Sequence, residues 1–115
     1  MSVKILHNPR CSKSRQTLQL LIEKGFTPEV VDYLKNTLGR AELETILAKL
    51  DLSPRNILRK GEKIYQELGL ANPDLSDEVL IAAILENPIL IERPIVITET
   101  AARIGRPPES VLEIL

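Results

Sequence analysis

The strongest constraint on the fold is a strand, helix and strand pattern within the first 33 residues. An apolar run at residues 3–6 predicts a strand. Apolar side chains recur at helical spacing over residues 12–24, and Gly25 is typical of the position just past a helix end. Residues 29–33 predict a second strand. Because two consecutive strands joined by a helix run parallel in one sheet, this pattern indicates an α/β protein.

The middle of the chain predicts helices, and the last part predicts a hairpin. The predicted elements are a helix after Gly39 with the apolar stripe Leu43, Ile46, Leu47 and Leu50, a turn beginning at Ser53 and Pro54, a helix over residues 62–68, a helix opened by Ser76 that stops before Pro88, strands at 95–98 and 102–104, and a terminal helix at 109–115. The order predicts a thioredoxin-like domain with a mixed four-stranded sheet and a helical insertion.

Length and composition favour a small enzyme of the cytoplasm. A chain of 115 residues supports one core, so we expect a single domain over residues 1–115. The first residues lack the pattern of a secretory signal, and the longest apolar stretch, residues 79–85, is far short of a membrane span. A net charge of −1 gives no reason to expect a nucleic-acid partner.

The single cysteine, Cys11, lies where the first predicted strand passes through a turn into the first predicted helix. Backbone N–H groups and the helix dipole favour an anion there, so the position predicts a reactive thiolate. Basic residues without any acidic one in residues 1–15 strengthen the local positive field; they are Lys4, Arg10, Lys13 and Arg15. The competing interpretation, a buried inert cysteine, fits poorly with such polar neighbours.

The residues after Cys11 exclude two common cysteine motifs. A CxxC dithiol needs a cysteine at position 14, which is Ser14, and a phosphatase-type C-x₅-R loop needs an arginine at position 17, which is Thr17. Without a second thiol, Cys11 must take electrons from an external thiol to complete a redox cycle. One histidine and one cysteine also predict no metal site.

Four sequence strings in the same order resemble one family. HNPRCSKSRQTL at the start, LRK at 58–60, RPIVIT at 93–98 and RIGRPPE at 103–109 resemble the glutathione- and glutaredoxin-dependent arsenate reductases. The resemblance implies a thioredoxin-like fold and the reduction of arsenate to arsenite through Cys11. It further implies glutathione as co-substrate, glutaredoxin as protein partner and no bound cofactor.

The resemblance also assigns roles to three arginines. Arg59, Arg93 and Arg106 match the family's oxyanion-binding arginines, although each taken alone would be read as a surface residue. A guanidinium fork fits a tetrahedral oxyanion with two parallel hydrogen bonds and stays charged at physiological pH.

Four further residues are candidates for tuning or shaping the site. His7, Ser14 and Asn8 are predicted to bind substrate or tune the thiolate. His7 could equally be a strand-end residue, Ser14 could bond the backbone as well as the sulfur, and Asn8 could shape the turn. Pro94 precedes a predicted strand and matches the position where thioredoxin-like folds place a cis-proline, so we expect the Arg93–Pro94 bond to be cis.

Two other functions remain open from the sequence. The first is a reductase of glutathione mixed disulfides with the same fold. The second is a non-enzymatic regulator that binds RNA polymerase, since the family resembles such adaptors. Those adaptors use a CxxC pair to sense oxidation, and Ser14 argues against a disulfide switch without excluding polymerase binding.

Overall fold

The computed structural model describes residues 2–115 and has the α/β class predicted from the sequence. The strands are β1 Lys4–Leu6, β2 Glu29–Val31, β3 Ile95–Ile97 and β4 Ala102–Ile104. The α-helices are α1 Ser12–Glu23, α2 Arg40–Leu50, α3 Lys63–Glu67 and α4 Asp77–Glu86, and 3₁₀ segments cover Pro54–Ile57, Pro88–Leu90 and Pro108–Ile114. Within residues 2–115, no helix combines the length and apolar character that crossing a bilayer requires.

The chain forms two compact units. The sheet unit contains residues up to Asn36 together with Arg93–Leu115, and the helical unit contains Thr37–Glu92. All four strands belong to the sheet unit, whereas α2, α3 and α4 belong to the helical unit. The single domain expected over residues 1–115 stays a prediction.

The sheet of the first unit has the strand order β2-β1-β3-β4. β1 pairs in parallel with β2, as the strand, helix and strand pattern predicted. β1 pairs antiparallel with β3, and β3 forms the predicted antiparallel hairpin with β4. The mixed four-stranded sheet is therefore confirmed, and α1 follows the carboxyl end of β1 along the chain.

A small apolar core holds α1 against the sheet. Ile5 on β1 lies opposite Val96 on β3, and both side chains are fully buried. Leu21 of α1 and Val111 of the terminal 3₁₀ segment pack into the same cluster. Burying each such side chain contributes about 1.5–3 kcal/mol, so this cluster fixes α1 on the sheet.

The helical unit follows the predicted pattern of apolar residues. The predicted stripe on α2 is buried along its whole length: Leu43, Ile46, Leu47 and Leu50. Ser76 caps α4 as expected, since its hydroxyl accepts a hydrogen bond from the backbone N–H of Val79 at 3.3 Å.

Two short segments differ from the predictions. The terminal segment Pro108–Ile114 is a 3₁₀ helix, and a further 3₁₀ turn covers Pro88–Leu90 directly after α4. Both begin with a proline, which supplies no backbone N–H. The turn Pro88–Leu90, with three residues, has the usual length of a 3₁₀ segment, whereas Pro108–Ile114, with seven residues, is longer than most.

Candidate active site

A hydrogen-bonded turn carries the chain from β1 into α1. The side chain of Asn8 accepts a hydrogen bond from the backbone N–H of Arg10 at 3.0 Å, and the Asn8 carbonyl accepts from the N–H of Cys11 at 3.0 Å. This Asx-type turn is what an asparagine followed by proline favours. As a result Cys11 occupies the N-cap position of α1, with extended backbone angles.

The Cys11 sulfur lies in a half-buried, positively charged environment. Nη2 of Arg106 is 3.5 Å from Sγ. Burial raises the pKa of the Cys11 thiol, but the backbone N–H groups of Ser14 and Lys13, a hydrogen bond from the Arg93 side chain and the charge of Arg106 outweigh it. The pKa of Cys11 is therefore lowered, as the helix N-terminus predicted.

Arg93 and Arg106 are linked to each other by a hydrogen bond. Nε of Arg106 donates to the backbone carbonyl of Arg93 at 2.8 Å. A backbone hydrogen bond joins the start of β3 to the end of β4, because the N–H of Gly105 donates to the carbonyl of Pro94 at 2.8 Å. The Arg93–Pro94 peptide bond is cis, and the Arg106–Pro107 peptide bond, for which there is no prediction, is cis as well. The two arginines thus converge on Cys11 from one hairpin.

Ser14 connects the predicted tuning residues in a buried network. Its hydroxyl oxygen is 2.6 Å from Nδ1 of His7 and accepts a hydrogen bond from the backbone N–H of Asn8 at 3.0 Å. The Ser14 side chain is fully buried, and its influence on the Cys11 thiolate comes from its backbone N–H. The network therefore holds the turn around the cysteine.

His7 is buried beside this network. Burial lowers the pKa of the His7 imidazole, the carboxylate of Asp32 raises it, and the charge of Arg15 lowers it; the net pKa is below the usual value. Arg15 also donates from Nη1 to the carbonyl of Pro9 at 2.8 Å and so braces the turn from outside.

Arg59, the third predicted oxyanion ligand, belongs to the helical unit. Its Nε is 3.2 Å from Oε1 of Glu62, and its Nη1 is 2.9 Å from Oε1 of Glu92. Its backbone N–H donates to the carbonyl of Leu90 at 2.8 Å. The two carboxylates hold the guanidinium in one orientation, and its role at the oxyanion stays a prediction.

The chemistry available near Cys11 is that of a nucleophile beside two anion-binding groups. A thiolate, first-turn N–H groups and two guanidinium groups together suit attack on a small oxyanion. Across residues 2–115, no cluster of three or more histidine, cysteine, aspartate or glutamate side chains is placed to hold a metal ion.

Comparisons with known proteins place the whole chain in one family. The sequence model of the ArsC family matches residues 6–114. The chain is 55% identical over 98% of its length to uncharacterized protein YfgD of Escherichia coli strain K12, covering 96% of that protein. It is 51% identical to arsenate reductase of Haemophilus influenzae, with both chains fully covered.

A solved structure agrees with these sequence matches. The arsenate reductase from Vibrio cholerae superimposes with a TM-score of 0.97 at 51% identity, covering 100% of this chain and 98% of that one. The predicted thioredoxin-like fold is therefore confirmed. With the family's pattern matched over nearly every residue, this chain belongs to the ArsC family.

Proposed function

We propose that this protein is an arsenate reductase in which Cys11 is the nucleophile. The observation that carries the proposal is the Cys11 sulfur with Arg106 at 3.5 Å and Arg93 hydrogen-bonded to it. Relatives that bear the name arsenate reductase, including the Haemophilus influenzae protein, support it. We place the enzyme in the cytoplasm, where arsenate and reduced thiols meet.

In the first step the Cys11 thiolate attacks the arsenic of arsenate. A sulfur–arsenic bond forms, one arsenic–oxygen bond breaks, and the oxygen leaves as water after protonation, while arsenic remains As(V). Arg93 and Arg106 bind the oxyanion and stabilise the negative charge that builds on its oxygens during attack. We assign Arg59 to the same oxyanion, as the sequence resemblance implies.

The electrons must come from an external thiol, because the chain has a single cysteine. We assign this role to glutathione and glutaredoxin, as the sequence resemblance implies. The glutathione thiol adds to the arsenic and displaces a second oxygen as water. A glutaredoxin thiolate then attacks the glutathione sulfur, and the electron pair of the broken sulfur–arsenic bond reduces As(V) to As(III). Glutaredoxin leaves as a mixed disulfide with glutathione, and hydrolysis at Cys11 releases arsenite. Glutathione is thus a co-substrate, with no bound cofactor.

A second candidate is the reduction of glutathione mixed disulfides at the same thiolate. A low-pKa cysteine without a dithiol partner suits exchange with a single external thiol.

Parallel assays distinguish the two candidates. NADPH consumption is followed with glutathione reductase, glutathione and glutaredoxin, using either arsenate or a glutathionylated peptide as substrate. We expect turnover that depends on arsenate and disappears in Cys11→Ser. Turnover of the peptide by the protein with none of arsenate would favour the disulfide reductase.

A further inference from the structure

Gly105, the residue between β4 and Arg106, is packed more tightly than a side chain would allow. A Cβ atom built on Gly105 would lie 2.6 Å from Oγ1 and 3.2 Å from Cγ2 of Thr17, and 2.8 Å from Cγ of Pro94. Cβ atoms in proteins essentially never lie within 3.0 Å of a non-bonded heavy atom, so an added Cβ would force one of these groups to shift. The close approach of Thr17 and Pro94 to the Gly105 backbone therefore explains why this position is a glycine.

Neither neighbour can move aside easily. Thr17 is fully buried in α1, and its hydroxyl donates to the Lys13 carbonyl at 2.8 Å. The Pro94 ring is rigid, and its carbonyl accepts the N–H of Gly105 at 2.8 Å. An added methyl group would therefore displace the backbone of α1, of the segment at Pro94, or of Gly105 itself.

These three backbone segments carry the groups that surround the Cys11 thiolate. The segment before Pro94 carries Arg93, α1 begins after Cys11, and Gly105 precedes Arg106, whose Nη2 is 3.5 Å from the Cys11 sulfur. Because Arg93 adjoins Pro94 and Arg106 adjoins Gly105, a displacement of either backbone at this contact also moves the adjacent arginine.

We propose that Gly105 is a positioning residue that fixes Arg106 and Arg93 against the Cys11 sulfur through its contact with Thr17 and Pro94. The effect on kcat/KM for arsenate rests on the proposed arsenate reductase function, whereas the effect on the Cys11 titration midpoint is measured without any substrate. The absent side chain is what allows the three segments to meet.

The test compares Gly105→Ala with Gly39→Ala, because a Cβ at Gly39 meets nothing within 4 Å. Thiolate absorbance against pH gives the Cys11 titration midpoint, and kcat/KM for arsenate gives activity. We expect Gly105→Ala to raise the midpoint and to lower kcat/KM about tenfold to a hundredfold, the scale of a misplaced catalytic group. Gly39→Ala should leave both values unchanged.

A second variant separates positioning from folding. Thr17→Ala removes two of the three close atoms, so the double variant Gly105→Ala with Thr17→Ala should lie between wild type and Gly105→Ala in both readouts. If Gly105→Ala alone does not fold, the double variant is compared with Thr17→Ala and should still show the higher midpoint.

Three outcomes are decisive. A Gly105→Ala midpoint and kcat/KM equal to those of Gly39→Ala would overturn the inference, as would a double variant indistinguishable from Thr17→Ala. If the wild type itself fails to reduce arsenate, the proposed function fails, and the titration midpoints alone decide the role of Gly105.

Discussion

At the residue scale, the candidate site depends on how two arginines approach one sulfur. Arg106 is oriented by the carbonyl of Arg93 and lies 3.5 Å from Cys11. A guanidinium can bind two oxygens of an oxyanion at once, whereas an ammonium is a point charge. Substitution by lysine therefore separates the effect of the bidentate guanidinium geometry at position 106 from the effect of its positive charge.

We expect Arg106→Lys to lower kcat/KM for arsenate although the positive charge survives. Complete removal of a donor to the developing oxyanion costs about 2.7–4 kcal/mol of barrier, and Arg106→Ala should approach this loss. The matched control is Arg103→Lys on β4, which should leave kcat/KM unchanged. The Arg103 side chain pairs with Glu113, at 3.1 Å, and not with the Cys11 sulfur. Near wild-type rates for both Arg106 variants would remove Arg106 from the mechanism.

The ionisation of Cys11 provides a prediction that needs no substrate. The backbone N–H groups at the start of α1, the Arg93 side chain and the charge of Arg106 lower the pKa of Cys11, so a larger fraction of Cys11 should be thiolate at pH 7 than of an unperturbed cysteine. Arg106→Ala should raise the midpoint of a thiolate absorbance titration, because it removes one of the charges that lower the Cys11 pKa. A wild-type midpoint equal to or above that of an unperturbed cysteine would contradict the thiolate assignment.

At the scale of elements, the junction of β1 and α1 is held by side-chain hydrogen bonds. The hydroxyl of Ser14 is the acceptor for the buried N–H of Asn8 and lies 2.6 Å from His7. The sequence placed these residues near Cys11 but left open whether Ser14 contacts the sulfur or the backbone. In the structure the hydroxyl contacts His7 and the backbone of Asn8, and the Ser14 backbone N–H is one of the groups that lower the pKa of Cys11.

Ser14→Ala should lower the free energy of unfolding by about 1–3 kcal/mol. The cause is the buried N–H of Asn8, which loses its acceptor and has no access to water. Ser12→Ala, at an exposed position in the same turn of α1, serves as control and should change stability by no more than about 0.5 kcal/mol. Equal unfolding free energies for both variants in urea titrations would show that the network contributes nothing.

Local patterns predicted the elements well, and long-range contacts explain what they missed. The spacing of Leu43 and its neighbours identified α2, and the apolar runs identified all four strands, because these signals lie within a few residues. Gly105 was not recognised as important, since its contact with Thr17 joins residues far apart in sequence. Arg93 and Arg106 were singled out by family resemblance, since neither charge nor spacing distinguishes them from other arginines.

At the scale of the whole molecule, buried ionisable groups connect stability to pH. Burial lowers the pKa of His7 in the folded chain, despite the opposing effect of Asp32. A lowered folded-state pKa means that the unfolded chain binds the proton more readily. The stability contributed by neutral His7 is therefore fully present above the unfolded pKa of about 6.5 and is lost as pH falls below it.

Stability should thus decrease from pH 7.5 toward pH 5 more steeply in the wild type than in His7→Gln, which cannot take up the proton. Urea titrations at a series of pH values measure the slope in each protein. Because carboxylates elsewhere titrate in both proteins, the comparison is between the two slopes. Identical slopes would show that the His7 pKa is not shifted by folding.

The source of electrons depends on the number of thiols, and these 115 residues contain one cysteine. Ser14 occupies the position of a second thiol, so no intramolecular disulfide can form to be reduced by thioredoxin. We therefore expect thioredoxin with its reductase to support little turnover, and glutathione with glutaredoxin to support it well.

The central claim is that the protein reduces arsenate to arsenite through Cys11. The most direct test measures the amount of arsenite formed, by arsenic speciation, together with the amount of NADPH consumed in the same reaction. We predict one arsenite for each NADPH consumed when glutathione, glutathione reductase and glutaredoxin are present. Cys11→Ser should form none, and thioredoxin should replace glutaredoxin poorly. Arsenite formation by Cys11→Ser at the wild-type rate, or none by the wild type, would contradict the account.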